Sequence, residues 1–259
     1  MRCLLPLLLL LAALPAHALE ISEIRSPQPI ESRILVLKGE IKRGDLAKLN
    51  AEIERVPMFI EWVSLDSPGG DVLEAMRIGT LVRTLSVRVV ALTCNSACVL
   101  IWVAGVERSA AGDLGLHRPF FDKHYFSGLS KAQAEIKYND LLRQVETYLR
   151  EMLVPQEAIE LIARTESAGV ARVGETSNLP LYAKLAASAP AFAEWLLSKC
   201  GKFPVDPGEL QKVLRGRSTL PKSSQDALLE ESSAYQHCRR RAKVDAFAEG
   251  LEKARRTSK

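Results

Sequence analysis

The chain predicts an α/β fold: repeated strand–helix units with parallel strands, followed by a helical C-terminal extension over 181–259. Two observations carry the first part. Short apolar runs, Met58–Leu65 and Val87–Leu92, suit strands covered on both faces, and each runs through a polar turn into a helical pattern, Val72–Leu85 and Ala97–Ala104. Strand followed by helix followed by strand demands parallel pairing through right-handed crossovers. The third observation is a change of pattern, because beyond Leu181 no strand-like run remains.

Taken in order, Met1-Arg2, the apolar run Leu4–Leu11 and the small-residue triplet Ala16-His17-Ala18 have the make-up of a secretory signal, with cleavage expected after Ala18. The apolar core is short for a membrane span. The domain then spans 19–180, opening with an extended arm over Leu19–Ser32 and a strand over Ile34–Leu37. Leu46, Leu49, Ile53 and Val56 fall on the helical period, so Asp45–Val56 is an amphipathic helix started by Gly44-Asp45. Next come the Met58–Leu65 strand, the turn Ser67-Pro68-Gly69-Gly70, the Val72–Leu85 helix and the Val87–Leu92 strand. A turn through Cys94-Asn95-Ser96 opens the apolar helix that ends at Gly105. Gly112–Pro119 reads as a short strand edge and loop that places His117 where the chain leaves the sheet. Ser130 caps a helix carrying Ile136, Leu141, Val145 and Leu149, and Pro155–Ile162 resumes as a helix with proline at its start. Glu166–Pro180 is loop with one short strand, and the extension reads as helices over Pro190–Lys199, Glu209–Leu214 and Ser223–Lys253.

The formal charge of +4 falls to +3 once Arg2 is removed with the signal, too mild a surplus to imply nucleic acid. Export places the protein in the periplasm or outside the cell, where the remaining cysteines, Cys94, Cys98, Cys200 and Cys238, meet an oxidising environment. Cys200 and Cys238 bracket most of the extension and are expected to form a disulfide. For Cys94 and Cys98 two readings stand: a disulfide astride Ser96, or two buried thiols acting as small apolar groups. Cys94-x3-Cys98 has ligand-like spacing, but without a His/Cys cluster nearby in sequence no metal site is expected.

An Asn-Ser pair before a helix ordinarily serves as a cap. The Ser67–Gly70 turn at the end of the preceding strand changes the weighing, since two such turns can face each other. The succession of a Gly-Glu-Ile step after the first strand, Leu65-Asp66-Ser67-Pro68-Gly69-Gly70-Asp71-Val72, the serine turn, and Ala110-Ala111-Gly112-Asp113-Leu114-Gly115-Leu116-His117-Arg118-Pro119 resembles the Clp-type serine peptidase core of the ClpP/crotonase superfamily, in particular its exported Clp-protease-like proteins. The resemblance covers about Ile34 to Ile162 and implies a ClpP/crotonase-like core. It implies Ser96 as nucleophile, His117 as base, and the N–H groups of Gly69 and Ala97 as oxyanion hole. The third triad member falls nearest Glu166, where Arg164-Thr165-Glu166-Ser167 lacks the family's Arg-Asp pair, so Glu175 or no acid at all stays open.

The chemistry agrees with that placement. A serine hydroxyl becomes nucleophilic when a base within reach takes its proton, and histidine fits that task near neutral pH. A helix N-terminus directs N–H groups at the oxygen that becomes negative, and glycine lets a second backbone N–H come close. The expected activity is hydrolysis of peptides or unfolded protein, with no cofactor and no ATP-driven unfoldase; homo-oligomerisation is left open. A catalytically silent binding scaffold, a Ser–Lys peptidase using Lys131 or Lys137, and a crotonase-like acyl enzyme are the alternatives. Asp66 and Asp71 read as a strand-end acid and a helix N-terminal charge. His124 and His237 receive no role. The basic run Arg239-Arg240-Arg241 with Lys243 and Arg255-Arg256 reads first as an exposed helix face, with anionic lipid or cell-envelope polymers as a second reading.

Overall fold

The structure, a computed structural model, describes residues 18–26, 31–120, 126–187 and 189–257. The expected signal segment lies outside the described residues apart from Ala18, and so does His124. Among the described residues no helix is long and apolar enough to cross a membrane.

The chain forms an α/β structure around one mixed, mostly parallel sheet. Strands β1 (Glu20–Ser26), β2 (Ser32–Lys38), β3 (Ile60–Ser67) and β4 (Arg88–Asn95) lie side by side, interleaved in sequence with α1 (Asp45–Arg55) and α2 (Val72–Thr84). The β2–β3 and β3–β4 pairs are parallel, as the repeated strand–helix pattern requires. After α3 (Cys98–Trp102), the short strands β5 (Arg108–Ala110) and β6 (Leu114–Leu116) both pair with β4 in parallel. The edges are antiparallel: β1 pairs with β2, and β7 (Ala171–Val173) pairs with β6. The extended arm expected over 19–32 is thus largely a strand, because β2 presents it with an open ladder of N–H and C=O groups.

Leu35 and Leu37 of β2, Val63 and Leu65 of β3, and Val89 and Ala91 of β4 alternate into the core. Asp71 caps α2 by accepting the Glu74 N–H at 2.8 Å. Glu74 in turn accepts the N–H groups of Gly44 and Leu46 at 2.9 and 2.8 Å, so α2 carries the cap of α1. These two carboxylates fix the helices against each other at the strand ends where the glycine turn lies.

Helix α4 (Lys131–Glu151) starts with a reciprocal Ser130–Gln133 capping box, and α5 (Gln156–Arg164) follows at once. Helices α6 (Leu179–Ala186), α7 (Pro190–Cys200), α8 (Pro207–Leu214) and α9 (Lys222–Thr257) complete the chain. α6 was not anticipated from the sequence. Its Tyr182 stacks on Trp102 with ring centroids 6.5 Å apart, and Leu185 is buried in the same core. α9 is 36 residues long and docks by its second half. Phe247 meets Phe59 edge-on at 5.7 Å, Leu251 is buried, and Gly250 lies so close to α2 that a Cβ would stand 2.1 Å from the Thr84 carbonyl oxygen. Cys200 and Cys238 are bonded, tying α7 to α9.

Buried Arg108 and half-buried Arg83 hold the connection between these parts. Arg108 donates to the carbonyls of Gly105, Leu185 and Met152, and Arg83 donates to those of Ala104, Val103 and Met152. Neither forms an ion pair with a described residue. Burial, and then the neighbouring Arg83 charge, lower the Arg108 guanidinium to about 10.

Candidate functional site

The parallel strands deliver their C-terminal ends to one edge, where the turns after β3 and β4 meet. At the β4–α3 junction Ser96 adopts φ +55°, a left-handed conformation that a non-glycine residue takes at a cost. Its N–H is bonded to the Gly115 carbonyl at 2.8 Å and its carbonyl accepts from Val99, which holds the turn in that shape. Neither Asn95 nor Ser96 caps α3, so the ordinary reason for this residue pair is absent. Asn95 instead accepts a hydrogen bond from Arg172 of β7 at 2.7 Å. The Ser96 hydroxyl has no hydrogen bond to a described residue and is half-buried.

The Ser67–Gly70 turn packs directly on this junction. Gly69 has φ +111°, and a Cβ there would stand 2.7 Å from the Ser96 Cβ and 2.9 Å from the Asn95 carbonyl oxygen. Only a glycine backbone fits between them. The turn is clamped from the other side by Ile41, whose N–H donates to the Gly69 carbonyl and whose carbonyl accepts from Asp71, both at 2.8 Å.

The two expected oxyanion donors differ in state. The Ala97 N–H has no hydrogen bond to a described residue. The Gly69 N–H is engaged by the hydroxyl of buried Ser67 at 3.1 Å. The hydroxyl of Ser67 is a local competitor that the sequence contains but does not reveal, since its direction depends on the turn geometry.

His117 follows β6 and lines, with Ser96, two adjoining hollows. One, of about 20 Å³, is walled by Val72, Leu100, Val145 and Ile162. The other is a groove of about 740 Å³ running between the 40–43 loop and the glycine turn, with Phe120 at its margin. The Nδ1 of His117 lies 2.8 Å from the Arg118 carbonyl oxygen. A carbonyl only accepts, so this contact places the imidazole proton on Nδ1 and leaves Nε2 as the basic nitrogen.

Glu166 is exposed in the turn after α5 and makes no hydrogen bond to His117, although its neighbour Thr165 accepts the Arg118 N–H at 2.9 Å. Glu175, after β7, is exposed as well. Among the described residues no carboxylate hydrogen-bonds His117, and the Arg118 carbonyl occupies the position of an orienting group. Lys131 and Lys137 lie on the exposed side of α4 and line neither hollow; Lys131 pairs with Glu135 at 3.8 Å.

Cys94 and Cys98 are bonded to each other, so a covalent link spans the Ser96 turn with Cα atoms 5.3 Å apart. Cys94 still belongs to β4 and Cys98 is the first residue of α3, and the irregular backbone between them allows the closure. Two disulfides are compatible with an extracytoplasmic, oxidising setting. Among the described residues no group of three or more His, Cys, Asp or Glu side chains could hold a metal ion.

The basic run of α9 departs from the exposed face expected for it. Arg239 and Lys243 both pair with Glu107, and Arg240 pairs with Glu61, so three of these cations are folded inward, while Arg241, Arg255 and Arg256 are exposed as expected. In comparisons with known proteins, the chain matches no family model and no curated sequence.

Proposed function

We propose that this chain is an exported serine hydrolase with a ClpP/crotonase-like core, acting in the periplasm or outside the cell on peptides or unfolded protein. The observation that carries the reading is Ser96 itself, held at positive φ on a disulfide-spanned strand–helix turn, against Gly69, in a groove it shares with His117. A strained, uncapped serine at the C-terminal edge of parallel strands has a use in acyl transfer that packing alone does not supply.

In this mechanism the substrate carbonyl enters the groove beside the glycine turn. The Ser96 oxygen attacks it while Nε2 of His117 takes the hydroxyl proton, and the resulting oxyanion is met by the Ala97 N–H. The Gly69 N–H joins when it leaves the Ser67 hydroxyl. His117 then returns its proton to the leaving group, and water repeats the sequence to release the acyl group. The Arg118 carbonyl, in place of a carboxylate, keeps the imidazole in the needed tautomer, but carries no full charge to stabilise an imidazolium. A slow hydrolase follows from that substitution.

A second reading, a silent scaffold, is favoured by two observations: among the described residues no carboxylate hydrogen-bonds His117, and one oxyanion donor is already occupied. A fluorophosphonate probe separates the two. The hydrolase reading requires labelling of the wild type, none in Ser96→Ala, and labelling slowed about 10²-fold or more in His117→Ala. A wild type that stays unlabelled, or a Ser96→Ala variant labelled equally, sinks it. Retained labelling in His117→Ala that disappears in Lys131→Ala or Lys137→Ala moves the mechanism to a Ser–Lys pair.

A further inference from the structure

At the opposite end of the sheet from Ser96, the N-terminal ends of β3, β4 and β5 and the inward face of α9 enclose a cleft of about 610 Å³. Pockets that take small organic ligands commonly measure about 300–1,000 Å³. Among the described residues its walls carry five guanidinium or ammonium groups against two carboxylates, Glu61 and Glu107, which leaves a surplus of three positive charges.

The surplus is placed rather than diffuse. Glu107 is shared by Arg239 and Lys243, so one carboxylate serves two cations. Arg88, at the start of β4, has no ion pair with a described residue, and its guanidinium lies 4.6 Å over the ring of Trp62. Stacking fixes the plane of the guanidinium and leaves its N–H edge available for an oxyanion. Arg108 adds a buried charge to the wall, bonded to three backbone carbonyls and to no carboxylate among the described residues. Ser233, Gln236 and His237 on α9 supply further polar groups along the same wall. Concentrated like charge in a concave site costs free energy unless a counter-ion is bound there.

We infer that this cleft binds a small polyanion of the diphosphate type, held between Arg88 on the sheet and Arg239 and Lys243 on α9. Guanidinium forks match phosphate oxygens in pairs, and a ligand of about three negative charges balances the surplus. The concave walls favour a small molecule over a membrane surface or a polymer. The inference is independent of the role given to Ser96.

The test is calorimetric titration of the purified protein with sodium pyrophosphate, against sodium chloride at equal ionic strength. One saturable site is expected, with orthophosphate binding more weakly. Arg88→Ala and Lys243→Gln should each weaken pyrophosphate binding about tenfold. Arg143→Ala, which removes an exposed cation of α4 outside the cleft, should leave it unchanged. Thermal melts of each variant separate lost binding from lost folding, and two variants on different walls keep the test open if one of them folds poorly. Absence of saturable binding in the wild type, or equal weakening in Arg143→Ala, overturns the inference. So does unchanged affinity in both cleft variants.

Discussion

Gly69→Ala tests whether the two turns abut as described. The substitution adds one methyl group at φ +111°, where it would stand 2.7 Å from the Ser96 Cβ, 2.9 Å from the Asn95 carbonyl oxygen and 3.1 Å from the Ala97 nitrogen. Two costs combine. Holding alanine at that φ costs about 1–3 kcal/mol, and forcing a methyl into a filled space costs about 1–3 kcal/mol more. Taken together, about 4 kcal/mol corresponds to a fall in Tm on the order of 10 °C for a chain of this size. Gly44→Ala is the matched control, because Gly44 also has positive φ, +98°, but a Cβ there meets nothing within 4 Å. Its cost is the backbone part alone, so its Tm should fall about half as far. Thermal melts of both variants measure the difference, and fluorophosphonate labelling reads the displacement of Ser96. Equal Tm values for the two variants would refute the contact between the turns. Wild-type labelling in a destabilised Gly69→Ala would refute its bearing on Ser96.

The disulfide between Cys200 and Cys238 closes a separation of 38 residues, for which loop-closure entropy alone predicts about 4 kcal/mol; replacing both by serine should lower Tm by that equivalent, and an unchanged melt would show that α7 and α9 are held by packing instead. Gly250→Ala places a methyl 2.1 Å from the Thr84 carbonyl oxygen and should lift α9 from α2 at a cost of about 1–3 kcal/mol, read as a lower Tm. In acid, Glu23 and Glu52 should report on the β1–α1 edge. Hydrogen bonds from Arg25 to Glu23 and from Arg55 to Glu52 hold both carboxyls below their ordinary value of 4.5. Their contribution is therefore full above that value and is lost as pH falls through the lowered one. Tm should hold steady from neutral pH down to about 5 and drop below it, with a shallower drop in Glu23→Gln; an identical acid profile in that variant would remove the edge from the account.

Local chemistry made the centre of this molecule legible. β2, β3 and β4 announce themselves as apolar runs, α1 by its helical period, and the Ser67–Gly70 and Ser96 turns by residues that suit few other conformations. β5, β6 and β7 are only three residues each and exist because β4 and β6 offer them partners. α6 was hidden in a short proline-bearing segment whose helicity depends on Tyr182 and Leu185 reaching the core. At the candidate site, Ser96 and Gly69 were visible from turn chemistry, and His117 through the resemblance to the Clp-type core. The group that orients His117 was not, because a backbone carbonyl leaves no mark in a sequence. The inward turn of Arg239, Arg240 and Lys243 was equally hidden, since it depends on where β3 presents Glu61 and the turn before β5 presents Glu107.

Phe59 and Phe247 meet across most of the chain, and that contact bears on the order of folding. Phe59 precedes β3, one of the first strands made, yet its ring meets its aromatic partner Phe247 only when α9 arrives. Contacts between segments so distant in sequence form late, because the intervening loop must close first. Until then the N-terminal ends of β3 and β4 face solvent, and the chain exposes a sticky edge to chaperones or to its own copies. Completion of α9 thus acts as the closing step of folding, and a chain interrupted before Phe247 would carry the Ser96 turn without a finished scaffold beneath it.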